Sequence, residues 1–74
     1  MLETKSGTVY NVLIDGLTVD VSCDPYSARL RAESYLSILP NLDYVVILAS
    51  REEPDHGGLR IEVDLIHRNH VESI

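Results

Sequence analysis

Residues 24–39 read DPYSARLRAESYLSIL, and the rest of the chain is arranged around how this stretch folds. Asp24 suits an N-cap, where its carboxylate accepts from the unpaired N–H groups of the first turn. Pro25 follows at the first helical position, where a missing N–H costs nothing. At about 100° per residue, Ala28, Ala32, Tyr35 and Leu39 share one stripe, with Leu36 at its edge. Pro40 ends the helix, because a proline pushes the residue before it out of the α region. Tyr26 and Leu30, four positions apart, lie nearly opposite the stripe. They are either scattered surface hydrophobicity, which is common, or a contact patch for a partner or a second copy.

Strand-like runs flank the helix, two before and two after. Residues 8–14, TVYNVLI, and 17–23, LTVDVSC, are separated by Asp15-Gly16. Asp-Gly between two such runs is a hairpin signal, since a type I′ turn needs positive φ at both central residues. A two-residue loop then pairs Ile14 with Leu17, Val12 with Val19 and Tyr10 with Val21 on a core face. The other face pairs Leu13 with Thr18, Asn11 with Asp20 and Val9 with Ser22. After the helix, residues 42–49, LDYVVILA, are apolar on both faces, with Tyr44, Val46 and Leu48 on one and Val45, Ile47 and Ala49 on the other. Such runs are usually interior strands covered on both sides. Residues 51–58, REEPDHGG, read as a polar loop. Residues 59–67, LRIEVDLIH, alternate Leu59, Ile61, Val63 and Leu65 with Arg60, Glu62 and Asp64.

The expected fold is therefore α+β: a ββαββ order forming a four-stranded, mainly antiparallel sheet with a single helix packed on one face. The whole chain, 1–74, makes one domain, with 1–7 and 68–74 as loose ends. One helix covers one face only. The expected open face carries Val9, Leu13, Val45, Ile47 and Ile66, interrupted by Asp20, Glu62 and Asp64. An apolar patch with an acidic fringe is the pattern of a protein-binding surface.

Composition bounds the function. A chain of 74 residues buries a modest core. Its one cysteine excludes an internal disulfide framework, so good packing or association must supply the reinforcement. Apolar residues make up 45% of the chain, which argues against disorder, and no apolar run reaches the roughly 18 residues of a membrane span. The opening MLETKSG lacks a secretory pattern, so a cytoplasmic protein is expected. Twelve acidic residues against six basic ones give a net charge of −6. That disfavours direct nucleic-acid binding, which requires cations to displace counterions, and docking on anionic membranes. It suits a basic protein surface, or simply solubility.

No motif carries catalytic chemistry. His67 and His70 are three apart, but a strand end followed by a tail gives that spacing no shared geometry, and zinc needs three or four ligands. His56 sits beside Asp55 in the loop. Cys23, just before a helix N-terminus, is placed for an activated thiolate, yet strand alternation puts it on the core face as a small buried hydrophobe. The carboxylates Glu52, Glu53 and Asp55, and Glu62 and Asp64, would need a pocket to act as acid or base. A domain this small seldom leaves one of about 300 Å³. The expectation is a non-enzymatic protein with no catalytic residues, cofactor or metal.

Two function classes follow. One is a protein-binding module, an inhibitor that meets a basic, nucleic-acid-handling complex through Glu52, Glu53, Asp55, Asp20, Glu62, Asp64, Tyr26 and Leu30. Small acidic phage-encoded antagonists offer an analogy of size and charge, not of motif. An antidote that masks a basic toxin would read the same way. The other is a homodimeric partner protein that buries the open face, with Val9, Leu13, Val45, Ile47 and Ile66 at the interface. A small metal- or thiol-dependent enzyme built on Cys23, His56, His67 or His70 is the remaining alternative.

Overall fold

Asp24 caps the helix as the sequence predicts: its carboxylate accepts from the N–H of Ser27 at 2.9 Å, and α1 spans Pro25–Ile38. The structure is a computed structural model that describes residues 7–69. Strand β1 is Val9–Ile14, β2 Leu17–Ser22, β3 Tyr44–Glu53 and β4 Gly58–His67. A short 3-10 turn, Pro54–His56, joins the last two. The four strands form one sheet in the order β2-β1-β3-β4, with every pairing antiparallel and the helix across one face. The loose ends expected at 1–7 and 68–74 lie mostly outside the described residues. Gly7, Arg68 and Asn69 lie within them, and Arg68 is tied down.

The first hairpin turns as expected. Asp15 and Gly16 have φ of 53° and 80°, the left-handed pair that a type I′ turn requires. Ile14 opposes Leu17 and Leu13 opposes Thr18, but then the register shifts and Val12 opposes Asp20. Val19 is an extra residue, a β-bulge. This corrects the predicted pairing beyond the turn. Asp20 comes to the helix side, where Arg31 holds it at 3.1 Å, and Val21 goes to the other face opposite Asn11. Cys23, expected on the core face, is exposed for the same reason. One inserted residue inverts every side chain after it.

The core is Val12, Ala28, Ala32, Leu36, Val45, Ile47 and Ile66, flanked by Tyr10, Ile14, Tyr35 and Leu42. Alanines at 28 and 32 let the helix lie close on the sheet, and Leu36 is the large buried side chain of its stripe. Leu39, expected on that stripe, is instead the C-cap with an extended backbone, so it leaves the helical phase and is exposed. The helix C-terminus is held by the residue that follows β4, which lies beside the start of β3. Arg68 donates to the carbonyls of Leu39 (2.6 Å) and Leu42 (2.8 Å), and its own N–H bonds Asp43 O at 2.9 Å.

The largest correction concerns the third strand. Val45, Ile47 and Ile66, expected on the open face, are the residues buried under the helix. The cause is the β1–β3 register. Val12 opposes Ile47, and Val45 opposes Ile66, so all four share the face that the helix covers. Because β3 is apolar on both faces, alternation alone did not choose between them. Tyr44, Val46 and Leu48 therefore lie on the open face with Val9 and Leu13, which were correctly placed.

Candidate functional site: the uncovered sheet face

Element lengths create the site. A helix of 14 residues spans about 21 Å, whereas β3 and β4, of 10 residues each, span about 33 Å. The helix begins level with Tyr10 and Ala49 and ends near the start of β3. The far end of the β3–β4 hairpin therefore projects beyond it as an arm. The region expected as a loop, 51–58, is half strand: Pro54 to Gly57 turn the chain, with Gly57 at φ 65° accepting the left-handed position, and the residues on either side belong to β3 and β4.

On its helix side the arm is charged. Arg51 lies 2.8 Å from Glu53, and Arg60 lies 3.2 Å from Glu62 and 3.8 Å from Glu53. These charges continue the Val45–Ile47–Ala49 row past the end of the helix, where no apolar cover exists. Between the helix N-terminus and β4 runs an open groove of about 550 Å³, lined by Tyr10, Tyr26, Arg29, Glu62 and Asp64 among others. A concavity of that size was not expected of so small a core. Its carboxylates, Glu62 and Asp64, are exposed to water, which is not the desolvated setting that acid–base chemistry uses.

The opposite face is nearly free of charge. Residues directly opposed across a sheet share a face, so register fixes its membership. Along β4 it carries Leu59, Ile61, Val63 and Leu65, at 59%, 53%, 65% and 49% exposure. Val46 and Leu48 flank them on β3, then Val9 and Leu13 on β1, and Val21 on β2. Glu52 stands at one end and His67 at the other, opposite Leu59 and Tyr44 respectively. No lysine or arginine lies on this face among the described residues. Alternation shows the β4 row but not its side, and the row lies opposite the helix rather than beneath it. The signal that places it is the charged row: Arg60, Glu62 and Asp64 match Arg51 and Glu53 in phase.

The predicted contact residues do not form one site: Tyr26, Glu62 and Asp64 meet in the groove, and Glu52, Glu53 and Asp55 meet at the turn of the arm. Tyr26, 70% exposed, lines the groove, and Leu30 lies on the outer side of the helix. Asp20, Glu62 and Asp64, expected to fringe the open face, are on the helix side. Glu53 is held by two arginines, Asp55 is exposed in the turn, and of the predicted acids only Glu52 belongs to the open face. His67 Nδ1 accepts from the N–H of Asn69 at 3.4 Å. His70 and the side chain of His56 lie outside the described residues. Among the described residues, no three His, Cys, Asp or Glu side chains gather as a metal site, and no helix is long and apolar enough to cross a membrane.

No protein-family model, curated protein or solved structure matches the chain.

Proposed function

We propose that this chain is a small, non-enzymatic protein-binding module that works through the uncovered face of its sheet. The observation that carries this reading is the row Leu59, Ile61, Val63 and Leu65, half exposed along β4 beside Val46 and Leu48. Contiguous apolar surface of this kind on a folded domain marks a contact site. The partner is a protein with an apolar patch. The ion pairs of the arm and the acids of the helix side make the other face of the sheet polar.

A charge-led reading has its own support. The net charge is −6, and Glu52, Asp55 and Asp64 stand outside the ion pairs of the described residues. On that reading the module is an antagonist that occupies the basic groove of a nucleic-acid-handling complex. The apolar reading is preferred because Asp20, Glu53 and Glu62 are already engaged by arginines of the chain itself.

Co-purification from the native host separates the two, with wild type and Val63→Lys compared in low and high salt. The apolar reading expects the partner to stay bound at high salt and to be lost from Val63→Lys. A partner released by salt and indifferent to Val63→Lys would overturn it in favour of charge, since screening weakens exposed ionic contacts.

A further inference from the structure

We infer that the partner for the open face is a second copy of this chain, and that two copies pack these faces against each other as a two-sheet sandwich. This inference rests on the protein-binding reading above and names the partner of the same surface.

Area is the first argument. With β3 and β4 about 33 Å long, β1 and β2 about 20 Å long and the strands about 4.8 Å apart, the face measures roughly 500 Å². Two such faces bury about 1,000 Å² together before their rims are counted, the size at which a specific interface begins. The same surface on both copies is what a twofold dimer uses. A chain of this length with one cysteine also gains the second core layer it lacks.

Hydrogen-bond complementarity is the second argument: the carboxylate of Glu52 accepts, and His67, whose Nδ1 accepts from the N–H of Asn69, has Nε2–H left to donate. The face carries Glu52 at one end and His67 at the other, and aliphatic residues dominate between them. A twofold axis running across the strands lays β4 of one copy over β4 of the other with ends reversed. The Glu52 end of each copy then meets the His67 end of its mate. An axis along the strands would instead set Glu52 against Glu52. The first arrangement is self-complementary, and it stacks the two Leu59-to-Leu65 rows at the ~10 Å spacing of packed sheets.

Edge-to-edge pairing of β4 is the competing arrangement, and it fits less well. It would extend the sheet and satisfy free backbone groups, but Leu59, Ile61, Val63 and Leu65 would stay wet. Centring it on Val63 would also set Glu62 against Asp64 of the other copy, two like charges directly opposed.

The test measures molar mass by sedimentation, together with Nile red fluorescence, for wild type, Val63→Lys and Tyr26→Lys. Concentrations extend to the order of 100 µM, above the micromolar dissociation constants of the weaker interfaces of this size. Circular dichroism confirms that both variants fold, which is expected because both positions are exposed. The expected result is a wild-type mass twice the 8.3 kDa of the chain. Val63→Lys should raise the dissociation constant by more than about tenfold, since it buries two unpaired lysines per dimer. Tyr26→Lys, on the helix side, should leave it unchanged. A dimer indifferent to Val63→Lys overturns the inference. A wild-type monomer that binds Nile red, with binding lost in Val63→Lys, also overturns it but leaves the protein-binding face standing for another partner. A wild-type monomer that binds no dye overturns both.

Discussion

The carboxylate of Asp20 lies 3.1 Å from the guanidinium of Arg31, a contact between strand and helix that exists because Val19 is an extra residue in β2. Without the bulge, Asp20 would oppose Asn11 and face away from the helix. The bulge also brings the carbonyl of Val19 to the hydroxyl of Tyr35, which donates to it at 3.3 Å. Two polar contacts thus fix how the helix sits on the first hairpin. Arg31 is half exposed, so the pair itself is weak. A double-mutant cycle of Asp20→Ala and Arg31→Ala is expected to give a coupling of about 0.5 kcal/mol, shrinking in high salt. Urea unfolding at two ionic strengths measures it. A coupling of several kcal/mol, or one indifferent to salt, would contradict this geometry.

Arg68 matters more than its place near the chain end suggests. Its guanidinium donates to two carbonyls just past the helix, at Leu39 and Leu42, so it joins the end of β4 to the α1–β3 connection. Charged hydrogen bonds to backbone acceptors contribute more than neutral ones. Arg68→Ala is expected to cost about 2 kcal/mol, and Arg68→Lys to recover only part of it, because one ammonium does not span both carbonyls as the planar fork does. The measurement is the urea midpoint of the three proteins. Equal midpoints for the wild type and Arg68→Ala would mean that these contacts do not hold the helix end.

The turn of the arm offers a backbone test. Gly57 has φ 65°, whereas the neighbouring Gly58 does not take a left-handed conformation, and a Cβ would meet nothing within 4 Å at either. Space is therefore not at issue and only conformation differs. Gly57→Ala is expected to cost about 1 kcal/mol and Gly57→Asn less, since asparagine tolerates the left-handed region. Gly58→Ala should be close to neutral. If the two alanine variants melt together, the turn is not the one described.

Much of this fold was legible from local chemistry. Asp24-Pro25 and Pro40 bound the helix, and Asp15-Gly16 names its turn, because caps and tight turns depend on a few adjacent residues. Long-range parity was not. The bulge at Val19 answers to contacts with Arg31 and Tyr35, more than ten residues away in sequence. The facing of β3 depends on its register with β1, and a strand apolar on both sides leaves that open. Once Val45 and Ile47 turned inward, Ile66 and the whole of β4 followed through the hairpin. The exposed apolar face holds Val46, Leu48 and the Leu59–Leu65 row, and Val45, Ile47 and Ile66 lie beneath the helix instead. Arg51 and Glu53 lie in a stretch whose proline and glycines read as a loop, so their place in the covered row beyond the helix shows only in the structure.

That inversion is itself testable with two isoleucines. Ile47 is buried beneath the helix beside Val12 and Val45, while Ile61 stands half exposed on the other face. Truncating a buried isoleucine removes its transfer free energy and leaves a cavity, so Ile47→Ala is expected to cost about 2–4 kcal/mol, enough to unfold much of so small a domain. Ile61→Ala in dilute protein is expected to cost under about 1 kcal/mol, because little burial is lost. The two answers should also differ in their dependence on concentration. The cost at Ile47 is fixed within one chain. The cost at Ile61 grows with protein concentration if a second copy covers it, because association adds to apparent stability by mass action. Thermal melts of both variants across a hundredfold dilution series measure this. A larger cost at Ile61 than at Ile47 in dilute solution would restore the opposite facing of the third strand and remove the candidate surface altogether.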